Sequence, residues 1–260
     1  MTKALFFDID GTLVSFNTHA ISESAIEAIR QVKAKGIKVF ISTGRPFSLI
    51  NNLNAIKEWI DGYITTNGAY SFIGNEFVAC NPIPREEVEA VVKFADELDF
   101  PCMIVGEKDL TFYRSNEQVD RVFKQLLNVQ DLNENVPLEP ILAQRILQLT
   151  PVITEETEKE LMQKLPGCVS SRWCPDFADI TAKGIDKSVG LEALAAHLGI
   201  DISETMAFGD GGNDIAIVKR AGIGVAMDNA NDSLKAVADY ITTSVDEDGV
   251  WNALKHFGVL

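Results

Sequence analysis

Short apolar runs alternate with segments of helical period over the first and last thirds of the chain. Residues 3–9 are almost continuously apolar, the pattern of a strand buried on both faces. Ala25, Ile26, Ile29 and Val32 then recur at helical spacing behind Ser22 or Ser24, either of which can cap the helix. Ser24 with Glu27 fits a capping box. Gly36 closes this helix, a strand over 37–42 follows, Pro46 opens a further helix, and 61–65 reads as a third strand. The rhythm returns later as helix 187–198, strand 205–209, helix 213–220, strand 223–227, helix 230–237, strand 239–242 and a helix near 248–257. Such alternation predicts a three-layer α/β architecture, a parallel sheet with helices on both faces.

Between Pro82 and Lys183 the rhythm changes. A helix from Arg85 to Leu98 carries Val88, Val91, Val92, Ala95 and Leu98 on one stripe. Two short strands near 101–106 and 110–114 precede a helix bearing Val119, Val122, Phe123, Leu126 and Leu127. A strand near 144–150, a helix near 155–164 and a closing pair near 168–173 and 177–182 complete the segment. This predicts a discontinuous core over 1–81 and 184–260, with an α+β domain inserted over 82–183.

At 260 residues, 46% apolar and 23% charged, the chain has the composition of a soluble globular protein. Its formal charge of −15 argues against a nucleic-acid or anionic-membrane surface. No run approaches the ~18 apolar residues of a membrane span, and Met1-Thr2-Lys3 enters a strand directly, unlike a signal peptide. Cys80, Cys102, Cys168 and Cys174 are widely spaced, which suits free thiols and a cytoplasmic location. The three histidines are scattered, against a zinc site.

Four segments share one layout, an apolar strand or turn running into polar, phosphate-friendly residues. They are Phe6-Phe7-Asp8-Ile9-Asp10-Gly11-Thr12, Val39-Phe40-Ile41-Ser42-Thr43-Gly44-Arg45-Pro46, Lys183-Gly184-Ile185-Asp186-Lys187-Ser188 and Met206-Ala207-Phe208-Gly209-Asp210-Gly211-Gly212-Asn213-Asp214. Asp8 and Asp10, two apart, share a face if the strand continues, near the carboxyl end where open α/β sheets bind ligands. Lys187 opens a helix, where a lysine is not the favoured charge, and so suggests work elsewhere; Lys183 is its competitor. Asp8, Asp10, Asp210 and Asp214 form an acidic set that one lysine does not balance. At an effective dielectric near 20, two like charges ~4 Å apart repel by roughly 4 kcal/mol. A hard divalent cation, Mg²⁺, answers that repulsion.

The four segments in this order resemble the haloacid dehalogenase superfamily, and more narrowly its Cof-type (subfamily IIB) sugar-phosphate phosphatases. The resemblance spans nearly the whole chain and implies a Rossmann-like core with the cap inserted between the second and third motifs. It implies that Asp8 is the nucleophile, that Asp10 is the acid and base, and that Thr43 and Lys187 bind the transferring group. Mg²⁺ is then held by the Asp8 and Asp210 side chains and the Asp10 carbonyl. Gly44, Arg45 and Asn213 join the phosphate-binding set, although Arg45 equally suits a surface ion pair and Asn213 a helix cap. Thr12 is expected to hold Asp10, and Asp214 to orient water or Lys187. Asn67, in a Thr66-Asn67-Gly68 turn that also reads as a hairpin signal, is a weaker candidate. So are Arg172, Trp173 and Asp176 of the cap, as contacts for a polar sugar. The expected partner is a small phosphorylated metabolite, for a monomer or small homo-oligomer. A phosphomutase, another phosphotransferase, a receiver-like signalling protein and a non-catalytic phosphate-metabolite binder remain as alternatives. The Asp8/Asp10 pair argues for catalysis over binding alone.

Overall fold

The computed structural model describes residues 1–126 and 136–260. In chain order the strands are β1 (Ala4–Phe7), β2 (Lys38–Ser42), β3 (Gly62–Thr65), β4 (Tyr70–Ile73), β5 (Glu76–Cys80), β6 (Cys102–Gly106), β7 (Leu110–Tyr113), β8 (Ile146–Pro151), β9 (Cys168–Cys174), β10 (Phe177–Ala182), β11 (Thr205–Gly209), β12 (Ile223–Ala226) and β13 (Tyr240–Ile241). Among the described residues they form one sheet in the order β13-β12-β11-β1-β2-β3-β4-β5 and another in the order β7-β6-β8-β10-β9. The chain divides into two compact units, Met1–Ala79 with Asp186–Leu260, and Cys80–Ile185.

In the first unit β13, β12, β11, β1, β2 and β3 pair in parallel. Leu5 and Phe7 pack on one face with Ile29 and Val32 of helix Glu23–Ala34 and Val250 and Leu254 of helix Gly249–His256. Ala4 and Phe6 point the other way, onto Leu191 and Leu194 of helix Lys187–Leu198 and Ile217 and Val218 of helix Ile215–Arg220. Burial on both faces is why these strands lack apolar-polar alternation. The chain steps outward from β1 to β2 and β3, and later from β11 to β12 and β13 in the opposite direction. The order therefore reverses between β1 and β11, and the crevice beyond their carboxyl ends is where such a sheet binds ligands.

Four expectations need correction. The sheet is not wholly parallel, because β4 folds back antiparallel on β3 and β5 extends that edge. Gly74, at φ +56°, makes the tight turn between β4 and β5. No α-helix follows Pro46, only a single 3₁₀ turn, Phe47–Leu49. Asparagine is a weak helix former and three occur here, Asn51, Asn52 and Asn54, while Leu49, Leu53 and Ile56 are still buried. No capping box forms at the first helix: Ser22 accepts from the Ala25 amide at 3.2 Å, and Glu27 binds Arg30 and Gln31 instead. The stretch expected as one helix around Val119–Phe123 is a short α-turn, Glu117–Val119, followed by a π-helix, Asp120–Leu126. Leu127 lies outside the described residues.

In the second unit Cys102, Ile104, Leu149 and Ile180 share a core with Val88 and Val91 of helix Arg85–Leu98 and Leu161 of helix Glu155–Met162. A short helix, Leu138–Leu142, was not expected. No described helix is long and apolar enough to cross a membrane.

Candidate active site

The residue after β1 is Asp8, whose amide still donates to the Phe208 carbonyl of β11 at 3.1 Å. The chain then curls through a tight loop closed by Val14 N to Ile9 O (2.8 Å) and Gly11 N to Val14 O (2.8 Å). Gly11 has φ +85°, and a Cβ there would strike the Asp210 carboxylate, so glycine is what lets the loop lie against the end of β11.

Lys187 is wholly buried at the first position of its helix, behind Asp186, whose carboxylate caps the Ser188 amide at 2.8 Å. Its ammonium donates to Asp8 Oδ1 at 2.7 Å and to Asp214 Oδ1 at 2.6 Å. Burial alone would push its proton affinity down, but Asp214 and Asp8 outweigh it and hold the lysine charged, well above the ordinary range. Asp214 is fully committed, because its Oδ2 accepts from the amides of Asp210 (3.1 Å) and Gly211 (2.9 Å).

Carboxylate oxygens of Asp8, Asp210 and Asp214 lie within 4.8 Å of one another. Lys187 bonds two of the three, Asp8 and Asp214. Burial raises Asp8 well above the usual carboxylate range, and although Lys187 pulls it down, Asp214, Asp210 and Asp10 push it further up. Burial and Asp214 push Asp210 up to about 7. A crowded, oxygen-only, electron-rich donor set of this kind fits a hard divalent cation. With Asp214 engaged elsewhere, Asp8 and Asp210 are the side chains placed to hold it.

The Asp10 side chain lies outside that close set of oxygens, although its charge still raises Asp8 and Asp210. Both its oxygens accept from one guanidinium, Arg45 Nε to Oδ2 and Nη2 to Oδ1, each at 2.7 Å. Arg45 also donates to the Leu49 carbonyl at 3.2 Å. It is therefore neither a surface pair nor a bystander, but the partner of the second aspartate. Thr12 does not reach Asp10: its hydroxyl points to Asp210 Oδ1 at 3.5 Å. Thr43 is buried beside Gly44, and its hydroxyl accepts from the Arg45 amide at 3.1 Å, leaving its proton to donate.

Asn213 does not cap a helix. Its Nδ2 donates to Asn67 Oδ1 at 3.0 Å, and Asn67 also lies against Gly44, where a Cβ would sit 3.0 Å from that oxygen. Thr66, Asn67 and Gly68 have φ of +50°, +52° and +97° in succession. Left-handed backbone costs a non-glycine residue roughly 1–2 kcal/mol, so this turn stores strain.

Asn229 was missed by the sequence reading. It donates to the Gly11 carbonyl at 2.8 Å and faces Asp210 Oδ2 at 3.5 Å, tying the β1 loop to β11. The signal was present, since Ile223–Met227 is one more apolar run ending in polar residues. In the second unit Arg172 binds Glu158 at 2.6 Å and the carbonyls of Ile153, Cys174 and Pro175, and Asp176 accepts from Arg121 at 2.9 Å. Trp173 lies in β9, and its side chain is outside the described part.

Comparison with known proteins adds a lineage to this geometry. A family model of haloacid dehalogenase-like hydrolases matches residues 5–254. YkrA of Bacillus subtilis is 32% identical over 100% of this chain and 99% of its own. A solved structure of the subclass IIB sugar phosphatase BT4131 shares 49% identity and superposes with a TM-score of 0.94, covering all of both chains. BT1666 of Bacteroides thetaiotaomicron, described among phosphatases of the same superfamily, shares 37% identity and a TM-score of 0.89, covering 100% of this chain and 96% of its own.

Proposed function

The chain belongs to the haloacid dehalogenase-like hydrolases and acts on phosphate esters; from that premise we propose that it is a Mg²⁺-dependent phosphatase of small phosphorylated metabolites, sugar phosphates foremost, working through an aspartyl-phosphate on Asp8. The observation that carries this reading is the wholly buried Lys187, which bonds Asp8 and Asp214 at the mouth of β1 and β11. A nucleophile in that position is oriented by its lysine, and the lysine stands ready to meet the oxygens of an incoming phosphoryl group.

Phosphate monoesters are among the slowest of biological hydrolyses, and a covalent route divides the barrier in two. Asp8 attacks phosphorus, and the ester oxygen departs with a proton from Asp10. Water then attacks the aspartyl-phosphate, with Asp10 taking its proton, and Asp8 is restored. To act as an acid Asp10 must present an O–H, so Arg45 has to release one of the two oxygens it grips. Thr43 donates its hydroxyl to the phosphoryl oxygens, and the Gly44 amide and Asn213 complete their cradle. When bound, Mg²⁺ held by the side chains of Asp8 and Asp210 and the carbonyl of Asp10 offsets the negative charge that phosphate brings to this acidic crevice. Lys187 adds its own positive charge at Asp8.

The unit Cys80–Ile185 is read as the inserted cap of this enzyme, and the four free thiols as a sign of a cytoplasmic protein. Sugar phosphates are favoured because BT4131, the relative at 49% identity, is a sugar phosphatase. The test is a panel of phosphorylated metabolites with Mg²⁺, scored for inorganic phosphate. Release of phosphate supports the reading. Isomerised sugar without phosphate would assign a mutase instead, and turnover undiminished in EDTA would remove the metal.

A further inference from the structure

The strained turn Thr66–Gly68 touches three of the four motif loops. Its Thr66 amide donates to the Arg45 carbonyl at 3.2 Å and its Asn67 amide to the Thr43 carbonyl at 3.1 Å. The Asn67 side chain accepts from Asn213 Nδ2 at 3.0 Å and packs on Gly44. Gly68 lies so close to the Asp186 carbonyl, one residue before Lys187, that a Cβ would collide with it. Asn67 is 5% exposed, and Thr66, 1% exposed, keeps a buried hydroxyl with no hydrogen-bond partner. A β-branched residue at φ +50° with an orphaned hydroxyl is costly on both counts, and a plain connection between β3 and β4 would not need it. Strain of this kind persists where surrounding contacts fix it and where it serves a site.

We propose that Asn67 is a positioning residue for phosphoryl binding: its carboxamide fixes the Asn213 side chain, and its left-handed backbone fixes the Thr43–Arg45 loop. Asparagine suits both tasks. It tolerates left-handed φ better than other residues with side chains, and its Oδ1 supplies the acceptor that Asn213 needs. The inference rests on the phosphatase reading for its kinetic consequence, though the link between the two asparagines does not.

Asn67→Gly separates the tasks, because glycine keeps the backbone and removes the carboxamide. The expected result is an unchanged Tm with kcat/KM on p-nitrophenyl phosphate down about tenfold, the size of one lost polar contact, mostly through KM. The inhibition constant for inorganic phosphate should rise by the same factor. Asn213→Ala should cost at least that factor, and the double variant no more than Asn213→Ala alone. Wild-type kcat/KM in Asn67→Gly, or losses that multiply in the double variant, would overturn the proposal. If Asn67→Gly fails to fold, Asn213→Ala reads the link from the other side by moving the Asn67 side-chain amide resonance, and an unmoved resonance overturns it. An enzyme that hydrolyses no phosphate ester would defeat the phosphatase reading alone, since the amide resonances still report the pair.

Discussion

Arg45 holds both carboxylate oxygens of Asp10 in a parallel fork, with two contacts of 2.7 Å between side chains that are 10% and 20% exposed. That fork is the geometry at which arginine excels and lysine does not, since an ammonium is a point charge without a planar pair of donors. Arg45→Lys is therefore predicted to loosen Asp10 without removing the local charge. Turnover of sugar phosphates, whose alkoxide leaving groups need a proton, should fall by roughly 10–100-fold. Turnover of p-nitrophenyl phosphate should fall much less. Equal slowing of both substrates would mean that Arg45 acts on the phosphate rather than on Asp10.

Asp10→Asn should show the same asymmetry in stronger form, slowing poor leaving groups by roughly 10²–10⁴-fold. Steady-state rates on a series of aryl and alkyl phosphates would give a steeper dependence on leaving-group pKa than in the parent enzyme. An unchanged slope would remove Asp10 as the acid.

Lys187→Met leaves Asp8 and Asp214 buried without their cation. Breaking a buried pair in this way costs about 3–5 kcal/mol, so a clear drop in Tm is expected at neutral pH in EDTA. Added Mg²⁺ should recover part of the stability and none of the activity. A Tm equal to that of the parent in EDTA would show that the pair contributes nothing to the fold.

Asp8 and Asp210 bind protons more tightly in the folded protein than in the unfolded chain, where Asp titrates near 3.8; Asp210 is raised to about 7. The stabilisation this brings to the metal-free protein is complete below the unfolded value and is lost as pH rises through the folded one. Mg²⁺ binds the ionised carboxylates and competes with protons, so its stabilising effect must grow over the same window. The rise in Tm on adding saturating Mg²⁺ is predicted to be small near pH 5 and at least about 5 °C larger near pH 7.5. An equal rise at both pH values would contradict the carboxylate assignment.

Asp8 and Asp210 were legible because buried parallel strands give unbroken apolar runs, and a carboxylate just beyond such a run has few structural reasons to be there. Lys187 was legible instead as a lysine opening a helix, where its charge is not favoured. Thr43 also follows a buried strand, but threonine is common there, and only the order of the four segments and the resemblance they carry marked it. The reading failed beyond Pro46, where a proline suited to the first turn of a helix is followed by only a single 3₁₀ turn. Partner choice was harder to read than position. Thr12 and Asp10 are two residues apart in sequence, yet Thr12 faces Asp210, and Asp10 is met by Arg45 from the end of β2. Asn229 belongs to a run of the same layout, but an asparagine after a strand is so common in turns that only its contacts with Gly11 and Asp210 mark it. Asn67 and Asn213 are 146 positions apart, and nothing in their local sequence ties them together.

The most direct measurement is a search for the phosphoryl group itself on Asp8. Enzyme quenched in acid during turnover of p-nitrophenyl phosphate with Mg²⁺ should carry a covalent phosphoryl adduct on the peptide containing Asp8. The adduct should be labile to hydroxylamine, and Asp8→Asn should show neither adduct nor turnover while keeping a folded-state Tm. Steady phosphate release with no adduct on that peptide, together with normal turnover in Asp8→Asn, would contradict the account.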